Sequence, residues 1–181
     1  MNPLPSAVFL DRDGTLIRDV HYVSRPDQVK LIPGAAEAVA RINALLIPVI
    51  VVTNQSGIGR GLFTADDYDR VTARVAEELA IHGAHIDASY YCPHRPEDQC
   101  ECRKPGDLLF HRAATEMGIA LEQALLIGDR KRDVEPAISL GAHAVLVPSE
   151  DTPESEVTWA GARLSVATTL GDALDRYLCT N

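Results

Sequence analysis

The chain has 181 residues, 46% of them hydrophobic and 24% charged, which is the make-up of one soluble globular domain long enough to bury a core unaided. Its 17 Lys+Arg against 26 Asp+Glu leave a net charge of −9, which argues against a nucleic-acid backbone or an anionic membrane as the main partner. A small phosphorylated ligand needs only a local cationic pocket and stays open.

Residues 7–10 form an apolar strand that runs straight into the turn Asp11-Arg12-Asp13-Gly14. Residues 34–46 read as a helix, with Ala36, Val39, Ala40, Ile42 and Leu46 spaced along one buried face. Residues 48–52 are a fully apolar strand, as expected where both faces of a parallel sheet are covered. Gly57, Gly59 and Gly61 mark a flexible loop. They miss the spacing of a nucleotide cradle. Thr64 is an N-cap with Asp66 and Asp67 in the first turn, opening a helix that runs to about residue 82.

Residues 86–91 are a third strand and 93–106 an irregular insertion. Residues 108–117 are a helix closed by Gly118, 124–127 a strand ending in Gly-Asp, 134–140 a helix closed by Gly141, and 142–147 a last strand. The polar segment 149–156 reads as a surface loop, residues 170–178 as a terminal helix and Trp159 as a packing residue. This alternation specifies an α/β domain with a mostly parallel sheet flanked by helices, spanning 1–181 as one domain. Ligands of such sheets sit beyond the carboxyl ends of the strands.

Three strand ends are chemically loaded. Asp11 and Asp13 follow the first, Thr53 and Asn54 end the second, and Asp129 follows the strand at 124–127, with Asp133 four residues on. A lone Asp after a strand is ordinarily a turn residue or helix cap. Several converging on one crevice are a like-charge cluster that a cation must relieve. Asp11 and Asp129 suit Mg²⁺, which takes a few carboxylates together with water and substrate phosphate. A carboxylate beside that ion can attack phosphorus and form an aspartyl-phosphate. Enzymes must supply roughly 20 kcal/mol or more to hydrolyse a phosphate monoester at useful rates. Thr53 and Lys104 would stabilise the phosphoryl oxygens. Asp13 would protonate the leaving oxygen and then deprotonate the attacking water.

These residues resemble the haloacid-dehalogenase-like (HAD) phosphatases. Residues 9–16, Phe-Leu-Asp-Arg-Asp-Gly-Thr-Leu, are similar to the DxDGT motif of that family. Val52-Thr-Asn54, Lys104 and Gly128-Asp129 with Asp133 match its three later motifs. The resemblance implies Asp11 as nucleophile and Asp13 as acid/base. It implies a catalytic Mg²⁺ held by the Asp11 side chain, the Asp13 backbone carbonyl and Asp129. No large cap domain fits between Thr15 and Thr53 or between Ser56 and Lys104.

Within the family, residues 53–64 and the run from Tyr91 to Pro105 resemble the branch that removes the 7-phosphate of heptose 1,7-bisphosphates for surface-glycan precursors. That likeness implies a substrate site formed by Arg12, Asp19, Val20, His21, Tyr22, Asn54, Gln55, Ser56, Arg103 and Arg130. Two positions depart from the branch: Arg130 stands where Lys is commoner, and the usual Lys-Pro-x-Pro-Gly is shortened to Lys104-Pro-Gly-Asp107. Histidinol-phosphate phosphatases are the runner-up, since they share the first motif and the cysteine loop. The stretch Gly57-Ile-Gly-Arg-Gly-Leu-Phe-Thr64 looks heptose-type, and Arg60 would add positive charge for a second phosphate. A non-catalytic zinc-stabilised binding domain would lack one of Asp11, Asp13, Lys104 and Asp129, and all are present. The net charge argues against a nucleic-acid 3′-phosphatase.

Cys92-x-His94 and Cys100-x-Cys102 offer four zinc ligands on two short arms, each pair on one side of an extended chain. A Cys₃His set is closed, so its Zn²⁺ is structural. The loop at about 92–103 has almost nothing else to bury, and a structural zinc contributes on the order of 10 kcal/mol to folding. Cys179 reads as a free thiol. The run from Leu45 to Val52 contains Pro48 and is far shorter than the roughly 20 residues of a membrane span, and Met1 to Ser6 has no Lys or Arg for a signal peptide. The expectation is a cytoplasmic monomer with reduced cysteines.

Overall fold

The computed structural model describes residues 4–179. Its centre is one six-stranded parallel sheet in the order β3-β2-β1-β4-β5-β6. The first half of the chain supplies β1 (Val8–Leu10), α1 (Ala35–Ala44), β2 (Val49–Asn54), the single turn α2 (Ser56–Gly59), α3 (Ala65–Ile81) and β3 (Ala88–Cys92). The second half supplies α4 (Leu108–Met117), β4 (Leu125–Gly128), α5 (Lys131–Val134), α6 (Pro136–Leu140) and β5 (His143–Leu146). It ends with α7 (Glu154–Gly161), β6 (Ser165–Val166) and α8 (Leu170–Cys179).

Alternation along each strand divides the core. Val8, Leu10, Val49, Val51, Leu125 and Ile127 face α1, α3 and α8, through Val39 and Ile42, Val71, Val75 and Leu79, and Ala173 and Leu174. Phe9, Ile50, Val52, Leu126, Ala144 and Leu146 face the other helices, through Phe110 and Ala113, Ala137 and Ala160. Phe9 and Phe110 meet edge to face at 5.3 Å between ring centroids. β1 lies between its two partners, with Leu10 opposite both Val51 and Ile127. Chain order reverses direction between β1 and β4, so the ends of these two strands flank the crevice where open sheets of this order bind ligands.

The expected strands and helices form, with four differences. α1 ends at Ala44, so Leu46, expected on its buried face, stands beyond the helix at φ +59° and is 91% exposed. The Gly57–Gly61 stretch is not a loose loop. A Cβ on Gly57 would lie 2.1 Å from Phe63 Cε1, and one on Gly59 would lie 2.7 Å from the Pro93 carbonyl oxygen. Those glycines permit close packing around α2. The expected helix at 134–140 is divided, because Pro136 has no N–H and starts a new helix at its own position. The segment 149–156 is not all loop, since α7 begins at Glu154, and β6 follows. Thr64 does cap α3, in a reciprocal capping box with Asp67. Gly118 and Gly141 close their helices in the left-handed conformation. Cys179 ends α8, and its side chain lies outside the described part of the structure.

Candidate active site

Asp11 leaves β1, Asp129 leaves β4 and Asp133 stands on α5; one carboxylate oxygen from each lies within 4.8 Å of the others. Two glycines make that convergence possible. Gly14 has φ +89°, and a Cβ there would sit 2.4 Å from Asp129 Oδ2. A Cβ on Gly128 would sit 2.2 Å from Asp133 Cβ.

Lys104 lies beneath this cluster. Its Nζ donates to Asp11 Oδ1 at 2.7 Å and to the Val52 carbonyl at 2.5 Å, and it pairs with Asp133 Oδ1 at 2.8 Å. Two of the three ammonium protons thus go to Asp11 and Val52, and Asp133 adds an ion pair. The lysine backbone is fixed separately: Lys104 N–H donates to Asn54 Oδ1 at 3.0 Å, and Asn54 Nδ2 donates to the Lys104 carbonyl at 3.1 Å. Asn54 thereby docks the insertion onto the end of β2.

The cluster is electrostatically unbalanced. Burial pushes the Asp129 carboxyl up to about 7, with the charges of Asp11 and Asp133 adding to it. Burial likewise pushes Asp11 up to about 6, against the pull of Lys104. Burial works to discharge Lys104, but Asp11 and Asp133 more than offset it and keep the ammonium protonated. Asp129 Oδ1 is buried with no hydrogen-bond partner. Among the described residues, the ion pairs made by Asp11, Asp13, Asp129 and Asp133 are with Lys104 and Arg12 alone. An unpartnered carboxylate oxygen and an excess of hard anionic donors fit a divalent cation.

Asp13 is held from two sides. Arg12 Nε and Nη2 donate to its two oxygens at 3.1 and 3.0 Å, and Gln55 Nε2 donates to Oδ2 at 2.8 Å while also reaching Thr53 Oγ1 at 2.9 Å. Arg12 itself is 2% exposed, with its guanidinium 5.3 Å from the Tyr68 ring centroid.

A cleft of about 310 Å³ opens above these groups. Asp11, Asp13, Thr53 and Asp129 form its floor, and Asn54, Gln55 and Ser56 one wall. Asp19, His21 and Tyr22 form the rim. His21 and Tyr22 sit at φ +54° and +60°, a turn held by His21 N–H donating to Asp19 Oδ1 at 2.8 Å. Arg60, Arg103, Arg130 and Arg132 bring positive charge. Three expected site residues stand elsewhere. Arg12 is buried behind Asp13 and does not line the cleft. Val20 faces a neighbouring hollow beside Arg18 and Ile32. Lys104 lies under the floor, beside Phe110 and Asp133. The sequence reading assigned no role to Asp133 or Ser149, which hold Lys104 and Asp129 respectively. The spacing of one helical turn from Asp129 signals Asp133; nothing in a polar stretch singles out Ser149.

The cysteine loop closes as its spacing requires. The three thiols lie 3.3–3.5 Å apart, and His94 Nδ1 lies 3.6 Å from Cys92 Sγ and 3.2 Å from Cys102 Sγ. These are not disulfide distances, which are about 2.05 Å. They approach the edges of a tetrahedron with bonds of about 2.3 Å to sulfur, so the donor set fits zinc. Residues 93–103 contain no buried residue.

The family profile described as haloacid dehalogenase-like hydrolase matches residues 8–102, and a second, HAD-hydrolase-like profile matches residues 101–173. A D-glycero-beta-D-manno-heptose-1,7-bisphosphate 7-phosphatase of Helicobacter pylori is 40% identical over 129 residues, which is 71% of this chain and 75% of that protein. The enzyme of the same name from Pasteurella multocida is 38% identical over 137 residues, 72% of this chain and 74% of that one. The crystal structure of D,D-heptose 1,7-bisphosphate phosphatase from B. bronchiseptica, complexed with magnesium and phosphate, superposes with a TM-score of 0.86 at 30% identity, covering 95% of this chain and 98% of that one. With its parallel sheet and its acidic cluster at the β1/β4 ends, this chain belongs to the haloacid dehalogenase-like hydrolases.

Proposed function

We propose that this hydrolase removes the 7-phosphate of D-glycero-D-manno-heptose 1,7-bisphosphate through an aspartyl-phosphate on Asp11. The observation that carries the reading is the meeting of Asp11, Asp129, Asp133 and Lys104 under a cleft ringed by arginines. The names of the relatives above select the heptose among sugar phosphates.

The Asp11 side chain, the Asp13 backbone carbonyl and Asp129 would hold magnesium. When bound, the ion neutralises the carboxylates and draws charge from a phosphoryl oxygen. An Asp11 oxygen attacks phosphorus as the bond to the sugar oxygen breaks. Asp13, aimed by Arg12 and Gln55, gives that oxygen its proton. Asp13 then takes a proton from water, which attacks the phospho-aspartate and frees Asp11 and phosphate. Thr53 donates to a phosphoryl oxygen. Lys104 transfers its Asp11 hydrogen bond to the incoming phosphoryl group, so its charge follows the charge of the reaction.

Asp19, His21, Tyr22, Ser56, Arg103 and Arg130 hold the sugar and its distal phosphate. Arg12 acts through Asp13, and Val20 serves only as part of the rim turn. Cys92, His94, Cys100 and Cys102 hold a structural zinc, which suits a single-domain cytoplasmic monomer whose thiols stay reduced.

The test is a magnesium-dependent phosphate-release panel of both heptose 1,7-bisphosphate anomers, fructose 1,6-bisphosphate and histidinol phosphate. One heptose anomer is expected to give the highest kcat/KM; preference for histidinol phosphate overturns the substrate assignment. Asp11→Asn is expected to be inert, and full activity in that variant removes the covalent route.

A further inference from the structure

Asp129 is held by the segment that follows β5. Ser149 Oγ donates to Asp129 Oδ2 at 2.7 Å, and Thr152 Oγ1 donates to the Asp129 backbone carbonyl at 2.7 Å. Ser149 N–H in turn donates to Thr152 Oγ1 at 2.8 Å. Each hydroxyl has a single proton. Both protons go to Asp129, so the 3.2 Å contact between the two hydroxyl oxygens is an approach rather than a bond. Together they grip one aspartate at its side chain and its main chain.

The grip is asymmetric. Asp129 Oδ2 is enclosed by the Ser149 hydroxyl and by Gly14, where even a Cβ would come within 2.4 Å. Oδ1 is buried and unpartnered. Fixing Oδ2 therefore fixes which oxygen faces Asp11 and Asp133. An unheld carboxylate could rotate about its Cβ–Cγ bond and present either oxygen, and a cation would then have to order it on binding.

We propose that Ser149 and Thr152 are positioning residues for the magnesium site: they lock the Asp129 carboxylate with Oδ1 turned toward the cation. The inference rests on the reading of Asp129 as a magnesium ligand. Outer-shell partners of this kind typically change metal affinity by 10- to 100-fold when removed.

The experiment is magnesium titration by isothermal calorimetry on the full chain, beside the magnesium dependence of phosphate release. Ser149→Ala is expected to weaken the magnesium dissociation constant about 10- to 100-fold, with kcat recovering at saturating magnesium. Ser149→Thr keeps the hydroxyl and is expected to restore binding. Thr152→Val removes the second hydroxyl at constant shape, and is expected to weaken magnesium as well; it carries the test if Ser149→Ala does not fold. Parent-like magnesium affinity in both Ser149→Ala and Thr152→Val overturns the clamp. Asp129→Asn separates the two claims: if it binds magnesium as the parent does, the metal reading itself falls and the clamp with it.

Discussion

Arg103 and Lys104 directly follow Cys102, the last residue of the proposed zinc set, yet the structure anchors them unequally. Lys104 is tied down at both ends, its backbone to Asn54 and its ammonium to Asp11, Asp133 and Val52. Among the described residues the Arg103 guanidinium makes one hydrogen bond, Nη1 donating to the carbonyl of His94 at 3.3 Å, and His94 belongs to the proposed zinc set. Within residues 93–103 only the half-buried Cys100 and Cys102 pack against the core, so little besides a metal would hold the loop. Cys102→Ser removes one of four ligands, and a quarter of the roughly 10–16 kcal/mol of a structural zinc is about 3 kcal/mol, a zinc affinity lower by two orders of magnitude. The freed loop would take Arg103 away from the cleft and leave Lys104 in place. A hydrogen bond to a charged partner contributes about 1.5–3 kcal/mol, so KM for the bisphosphate is expected to rise about 10- to 150-fold while kcat stays within a few-fold. The measurements are bound zinc by a colorimetric release assay and steady-state phosphate release on the same preparation. Lost zinc with unchanged KM refutes the link between loop and substrate. A fall in kcat at constant KM shows instead that the loop holds Lys104, against the bonding seen here.

Gly14→Ala forces a Cβ to within 2.4 Å of Asp129 Oδ2 at φ +89°, so magnesium binding and turnover are expected to vanish while the far-ultraviolet circular dichroism stays native. Arg130 Nε and Nη2 both pair with Glu156 at 3.2 Å, and Glu156 Oε2 also accepts from Lys131 N–H at 2.6 Å; Glu156→Gln is expected to raise KM several-fold with little change in kcat, measured by phosphate release. The carboxyls of Asp11 and Asp129, raised to about 6 and about 7, hold more protons folded than in the unfolded chain, where they titrate near 4. Metal-free stability is therefore expected to fall as pH rises from about 4 to 7, and the magnesium-induced rise in melting temperature to be larger at pH 8 than at pH 5. Equal shifts at the two pH values would contradict it.

The catalytic end of the sheet was legible because it depends on short-range pattern. Apolar runs of strand length locate β1, β2 and β4, and a polar residue right after such a run must lie at a strand end. That argument places Asp11, Thr53 and Asp129 together without knowledge of strand order. The cysteine loop was legible for a similar reason, since two same-sided pairs separated by a short turn have few ways to close. Roles that depend on distant partners were not legible. Arg12, between two aspartates, reads as a cation for substrate, and only the packed structure puts its guanidinium over Tyr68 and behind Asp13. Lys104 reads as a side chain lining the cleft, and only the packed structure shows it beneath the floor against Asp11, Asp133 and the Val52 carbonyl, from where its Asp11 bond can pass to a phosphoryl group. The 149–156 segment reads as solvent-facing because its residues are short, polar or acidic. α7 shows no strong apolar stripe of its own; Trp159, flanked by Lys131 at 4.8 Å and Arg163 at 5.6 Å, helps seat it against α5.

A chain with net charge −9 must attract a doubly phosphorylated sugar by local means. Of the four cleft arginines, Arg130 is engaged by Glu156, and Arg60 lies 3.6 Å from Glu97. Arg103 meets only a backbone carbonyl, and Arg132 makes no ion pair among the described residues. Among the described residues, the cleft arginines without a carboxylate partner are thus Arg103 and Arg132. Asp19 and Asp151 on the rim repel the same phosphates and have hydroxyl groups as their natural partners. A ligand that carries both phosphates and hydroxyls meets this pattern.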